Sequence, residues 1–140
     1  MSARLPLIYI AGPFRGPTPL DVRRNVERAR DLGLRVAQAG GYPVIPHTMT
    51  AEFDKQGEDQ FWLDGTMEML RRCDAIVMTK NWTTSAGACA EYQWARGAYM
   101  PVYEDNDLPT TPADLTTFVR WVCSLPLDKL DFERVKRSDI

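Results

Sequence analysis

Two short segments hold residues whose types and spacing could do chemistry. The first is Gly12-Pro13-Phe14-Arg15-Gly16, directly after an apolar run. Glycines let a backbone approach a ligand closely, turn amides can hold an anion, and the planar fork of Arg15 suits a phosphate. The segment has neither the G-x-G-x-x-G spacing of a dinucleotide fingerprint nor the Lys-Ser/Thr pair of a Walker loop. On spacing alone, a plain strand-to-helix turn that needs glycine for its dihedral angles accounts for it slightly better. The second segment runs from Trp82 to Glu91 (WTTSAGACAE). Ser85 and the amides near Gly87 read as a helix N-terminus, whose unpaired donors and dipole favour anionic groups. Glu91 falls one turn beyond Gly87, where a carboxylate can be aimed back toward the strand ends. The bland alternative is a surface glutamate in an early turn, where acids are mildly favoured. Against it stands the small-residue run Ala86-Gly87-Ala88-Cys89-Ala90, which implies close packing.

Other candidates carry less. His47 is the only histidine and follows a short apolar run. It has no Ser or Cys partner at a triad spacing, and one ligand makes no metal site, so a structural role outweighs contact with a small-molecule ligand. Trp82 could stack on a planar ligand or cover the core, with equal merit. Trp62, Trp94, Trp121 and Phe118 fall on helical stripes and read as packing or subunit contact. Cys89 reads as a small buried residue, and Asp74 as a structural cap or pair.

These residues need elements to position them. Leu5 to Ala11 reads as a strand buried on both faces. Thr18-Pro19-Leu20-Asp21 reads as a capped helix start, continued by Val22, Val26, Ala29 and Val36 and stopped at Gly40-Gly41. Strands are expected at Tyr42 to Pro46, Asp74 to Met78 and Tyr99 to Tyr103. Helices are expected from about Glu58 to Cys73, from Ala86 to Arg96, and after Thr111 through the stripe Leu115, Phe118, Val119, Val122 and Leu125. Apolar strands alternating with amphipathic helices predict one three-layer α/β/α domain of flavodoxin or Rossmann type, with a four- or five-stranded, mainly parallel sheet. Ligands of such sheets collect at the carboxyl ends of the strands. The domain is expected over residues 1–127, with 128–140 as a charged tail or an arm reaching a neighbouring subunit.

Length and charge narrow the function classes. A chain of 140 residues suits one domain, and 44% hydrophobic with 26% charged residues excludes wholesale disorder. A formal net charge of -2, without a Lys/Arg run, argues against gripping a nucleic acid polymer. No apolar stretch approaches a membrane span, and residues 1–6 lack a signal-peptide core. Three scattered cysteines argue against a disulfide framework or a zinc knuckle. The expectation is a cytoplasmic protein with no membrane partner and no metal.

Taken in order, Tyr9-Ile10-Ala11-Gly12-Pro13-Phe14-Arg15-Gly16, then Cys73-Asp74-Ala75-Ile76-Val77-Met78, then Trp82 with Ser85-x-Gly87-x-x-x-Glu91 resemble the nucleoside 2-deoxyribosyltransferase-like superfamily. The nearest resemblance is to a small bacterial and phage branch; nucleoside-monophosphate N-glycosidases are among its relatives. It covers about Leu7 to Tyr103. The resemblance implies that Glu91 is a nucleophile attacking the anomeric carbon of a (deoxy)ribose, as in a retaining glycosidase, and that Tyr9 orients it. It implies that Gly12, Arg15, Gly16, Ser85 and Gly87 hold the sugar 5′ end or its phosphate; Phe14, His47 and Trp82, which border the same segments, are also expected to bind substrate. It implies a nucleoside or nucleotide as the small-molecule partner, no cofactor, and a homodimer or higher homo-oligomer. The loop and Ser85 tilt the reading toward a 5′-phosphorylated substrate. One position departs from the pattern: where relatives carry an acid that helps the base leave, gapless counting from Asp74 gives Thr66. Asp64 lies two residues upstream and is the expected substitute. A nucleotide-binding module without turnover is the alternative.

Overall fold

The computed structural model describes residues 4–49, 53, 56–105 and 112–127. Among these residues, four strands, β1 (Leu7–Ala11), β2 (Tyr42–Val44), β3 (Ala75–Met78) and β4 (Val102–Glu104), form one sheet in the order β2-β1-β3-β4. Every pairing is parallel, with Tyr9 opposite both Val44 and Ile76. Among the described residues, five α-helices accompany them: α1 (Pro19–Ala39), the short α2 (Pro46–Met49), α3 (Asp59–Arg71), α4 (Ala86–Gly97) and α5 (Pro112–Ser124).

Both faces of the sheet are covered, and the period-2 alternation of strand side chains decides which residue meets which layer. Ile8, Ile10, Ala75 and Val77 pack on α1 and α5 through Ala29, Leu32, Val36, Leu115, Val119 and Val122. Tyr9, Ala11, Ile76 and Met78 face the other way, onto Leu70, Ala88 and Ala95 of α3 and α4. This is the expected α/β/α sandwich. The long helix α1 has the anticipated capping box, with the Thr18 hydroxyl accepting from the Asp21 amide and the Asp21 carboxylate accepting from the Thr18 amide. Gly40 closes it at φ 107°, a left-handed conformation that costs glycine little.

Several boundaries differ from the sequence expectation. β1 starts at Leu7, because the Leu7 amide turns aside to the Asp74 carboxylate at 2.8 Å and Pro6 has no amide to offer. Pro46 does not end β2; it opens α2, where a missing N–H is harmless. Tyr99 does not start β4. It takes a left-handed φ of 57° just after α4, and the Met100 amide folds back to Ala95 O at 2.9 Å, so the strand begins only at Val102. Leu125 lies beyond the end of α5, whereas Leu115, Val119 and Val122 keep the buried stripe. The cap expected at Thr111 and the tail expected at 128–140 lie outside the described residues. Among the described residues, no helix is long and apolar enough to cross a membrane.

Candidate active site

The chain leaves β1 for β2 on one side and for β3 and β4 on the other. The connections diverge at the carboxyl ends of β1 and β3 and leave a crevice between them. It is a cleft of about 650 Å³, the size of a small organic ligand. Its walls come from the 12–17 loop, the first turns of α1, one face of α3, and the segment from Asn81 to Glu91.

At its floor the Tyr9 hydroxyl donates a hydrogen bond to the Glu91 carboxylate, across 82 residues of sequence. Tyr9 is 1% exposed at the centre of the sheet, and α4 delivers Glu91 from the layer above it. Burial pushes the Glu91 pKa up to about 7, and the hydrogen bond from Tyr9 holds it from rising further. Burial likewise raises the Tyr9 pKa well above its ordinary value, reinforced by the negative charge of Glu91 and the hydrogen bond to it; Thr66 opposes that shift. The phenol therefore keeps its proton near neutral pH and acts as a donor. Thr66, at the position of the departure, faces this pair. Asp64 does not: it is exposed, accepts a hydrogen bond from Gln60 at 2.7 Å, and is not among the cleft-lining residues. Two residues along a helix turn a side chain by roughly 200°, so Thr66 and Asp64 cannot share a face.

The Gly12–Gly16 loop is built to stay where it is. A methyl on Gly12 would lie 2.2 Å from the Thr79 hydroxyl, so no larger residue fits without displacing that buried threonine. His47, buried on α2, sits with Nε2 at 3.0 Å from the Gly12 carbonyl and 3.1 Å from the Pro13 carbonyl. Both partners are acceptors, so Nε2 carries the proton and donates. Burial lowers the His47 pKa, opposed by those two bonds. His47 thus fastens the loop, in line with its structural reading. Asn25 of α1 braces the other end, donating to the carbonyls of Phe14 (3.3 Å) and Arg15 (3.2 Å) and accepting from Asn81 (3.5 Å).

Opposite the loop, Ser85 caps α4 by accepting from the Ala88 amide at 3.1 Å. Ala86 and Gly87, whose first-turn amides have no intrahelical acceptor, line the cleft. Arg15 reaches across the mouth to Asp59, the first residue of α3, and holds its carboxyl below the usual carboxylate range.

The structure thus brings Tyr9, Gly12, Phe14, Arg15, Gly16, His47, Ser85, Gly87 and Glu91 to one cleft. Trp82 does not line it; its ring stacks on Tyr92 at 4.4 Å and packs against the core beneath α4. Trp62, read as packing, does line it, with its indole N–H donating to Gln56 O at 2.7 Å. Cys89 is half-buried beside the carbonyls of Trp82 and Thr83. Asn25, Asn81 and Asp59 escaped the sequence reading, and Thr66 entered it only as the place where an acid is missing. The one signal available was Asn25, a polar residue on the inward stripe three places after Val22. Among the described residues, no three His, Cys, Asp or Glu side chains are grouped to hold a metal ion.

The chain belongs to a family defined by a domain of unknown function, DUF7768, whose pattern matches residues 6–105. That span runs from the start of β1 to the end of β4 and takes in every cleft residue named above. No curated protein matches the chain.

Proposed function

We propose that the cleft binds a (deoxy)nucleoside or its 5′-monophosphate and cleaves or exchanges the N-glycosidic bond, with Glu91 as nucleophile. The observation that carries this reading is the buried Tyr9–Glu91 pair at the floor of a ligand-sized crevice. A carboxylate held there can capture an oxocarbenium-like carbon. The Glu91 carboxylate attacks C1′, the C1′–N bond breaks with its electron pair passing to the base nitrogen, and a glycosyl ester forms. The departing base takes a proton from water. A second water, or the nitrogen of another base, then attacks C1′, loses its proton to solvent and returns Glu91 as carboxylate. Tyr9 keeps its proton throughout and orients the oxygen that attacks. Ser85 and the α4 amides face the polar end of the sugar.

The test is incubation of the protein with a panel of nucleosides and 5′-monophosphates, with free base followed by chromatography. Release of base that Glu91→Ala abolishes supports the proposal; no release from any member overturns it. A second reading, a nucleotide-binding module without turnover, draws on a specific observation: Thr66, rather than an acid, stands beside Tyr9. The absence of a general acid costs roughly 10²–10⁴-fold in rate. Binding of a nucleotide with no base released favours this reading. Within the first proposal the protein works in the cytoplasm as a homo-oligomer. Light scattering would check that assembly.

Two further outcomes follow from the geometry. Tyr9→Phe removes the donor that favours ionised Glu91, so the Glu91 pKa rises above its present value of about 7. The acid limb of the pH–rate profile moves to higher pH, where an unmoved limb would contradict the assignment. Gly87→Ala places a methyl 3.8 Å from Leu63 Cδ2 and Ser85 Oγ, an ordinary contact at the cleft wall. The melting temperature should hold or rise, because alanine favours a helix by about 1 kcal/mol over glycine. Nucleotide affinity should fall about tenfold as the methyl crowds the ligand, a split between stability and binding that titration calorimetry would read.

A further inference from the structure

Arg15 and Asp59 meet as a fork on a fork, Nη2 to Oδ1 at 2.5 Å and Nη1 to Oδ2 at 3.1 Å. Both side chains are exposed, at 60% and 62%, and both line the cleft mouth. An exposed ion pair adds little to stability, so folding gives small reason for this geometry. The backbone bearing Arg15 is fixed by Asn25, and the neighbouring Gly12 and Pro13 by His47, so the guanidinium is presented from a braced loop. A bidentate carboxylate offers two oxygens to the same donors that a phosphate would use. Asp59 therefore sits where a phosphate group would seat on Arg15. Its neighbours sharpen the effect, since Asp21 and Glu91 are the other acids lining this cleft and Arg15 is its only lining arginine among the described residues.

We infer that Asp59 is a specificity-determining residue, which competes with a 5′-phosphate for the Arg15 fork and biases the cleft toward substrates with an uncharged 5′ end. The inference rests on the nucleoside or nucleotide reading of the site and deepens it. A monophosphate must displace the Asp59 carboxylate and then tolerate its charge nearby; a nucleoside meets neither obstacle.

The experiment compares wild type, Asp59→Asn, Arg15→Ala and the double variant. The ligands are adenosine, guanosine, cytidine, uridine, their 2′-deoxy forms, the matched 5′-monophosphates and inorganic phosphate, with affinities from titration calorimetry. Melting curves confirm folding, which an exposed pair should barely affect. In Asp59→Asn the ratio of monophosphate to nucleoside affinity should rise roughly tenfold or more, and inorganic phosphate should bind more tightly. In the Arg15→Ala background the same substitution should leave the ratio where it was. Nucleoside binding with no rise in the ratio overturns this inference and leaves the proposed function standing. A rise that persists without Arg15 also overturns it, because the charge would then act at large rather than through the fork. Failure of wild type and Asp59→Asn to bind any of the ligands overturns the proposed function and this inference together.

Discussion

Glu91→Gln should stop base release and at the same time make the protein more stable. The loss of activity, at least about 10³-fold, follows because an amide cannot form the glycosyl ester. The gain in stability follows from the same burial that suits the residue for its role. In the folded chain Glu91 holds its proton up to about pH 7, against an ordinary value of 4.5. Between those limits the folded state binds more protons than the unfolded one, so stability falls as pH rises through that window. Above it the charged carboxylate costs on the order of 3 kcal/mol, which a neutral glutamine escapes while still accepting the Tyr9 hydrogen bond. Thermal melts at pH 8 should show the variant several degrees above wild type, and melts at pH 4 should bring the two together. A variant that still releases base, or that melts no higher at pH 8, would refute the assignment of Glu91.

The second large effect lies at the opposite end of the sheet. Asp74, with a fully buried side chain at the head of β3, accepts from both Arg4 terminal nitrogens (2.7 and 2.5 Å) and from the Leu7 amide (2.8 Å). The cluster ties the segment before β1 to the start of β3 and so sets their register. Arg4→Ala leaves the buried carboxylate without its countercharge, a loss of about 3 kcal/mol, or roughly ten degrees in melting temperature. The cost should be largely recovered by Asp74→Asn in the same chain, since the amide removes the stranded charge and keeps an acceptor for Leu7. An Arg4→Ala protein that melts within a degree or two of wild type would show the pair to be dispensable. Neither variant touches the cleft.

Much of the architecture was legible along the chain because it rests on local rules. The alternation of apolar strands with amphipathic helices specified a parallel sheet covered on both faces. Thr18 with Asp21, and Gly40, marked the ends of α1 through capping chemistry complete within a few residues. The places where local rules misled are places where distant atoms intervene. Tyr99 to Tyr103 reads as a strand, yet Tyr99 closes α4 in a left-handed conformation that tyrosine seldom adopts. Leu5 reads as strand, yet the Leu7 amide is claimed by Asp74. Asp74 was recognisable as structural; that Arg4, seventy residues away, would hold it was not.

The candidate site divides the same way. Glycine-rich turns after apolar strands, and a serine-capped helix carrying a carboxylate one turn beyond Gly87, are short-range patterns, so the sequence by itself determined two of the segments that border the cleft, Gly12 to Gly16 and Ser85 to Glu91. Only the tertiary structure decided that Tyr9 touches Glu91, that Thr66 and not Asp64 faces them, that Trp62 enters the wall while Trp82 withdraws into the core, and that Arg15 is held by Asp59. The reason is physical. A side chain's direction on a helix turns by about 100° per residue, so its partner depends on how that helix is rotated against the sheet. That rotation is set by the packing of whole layers, which no window of neighbouring residues contains.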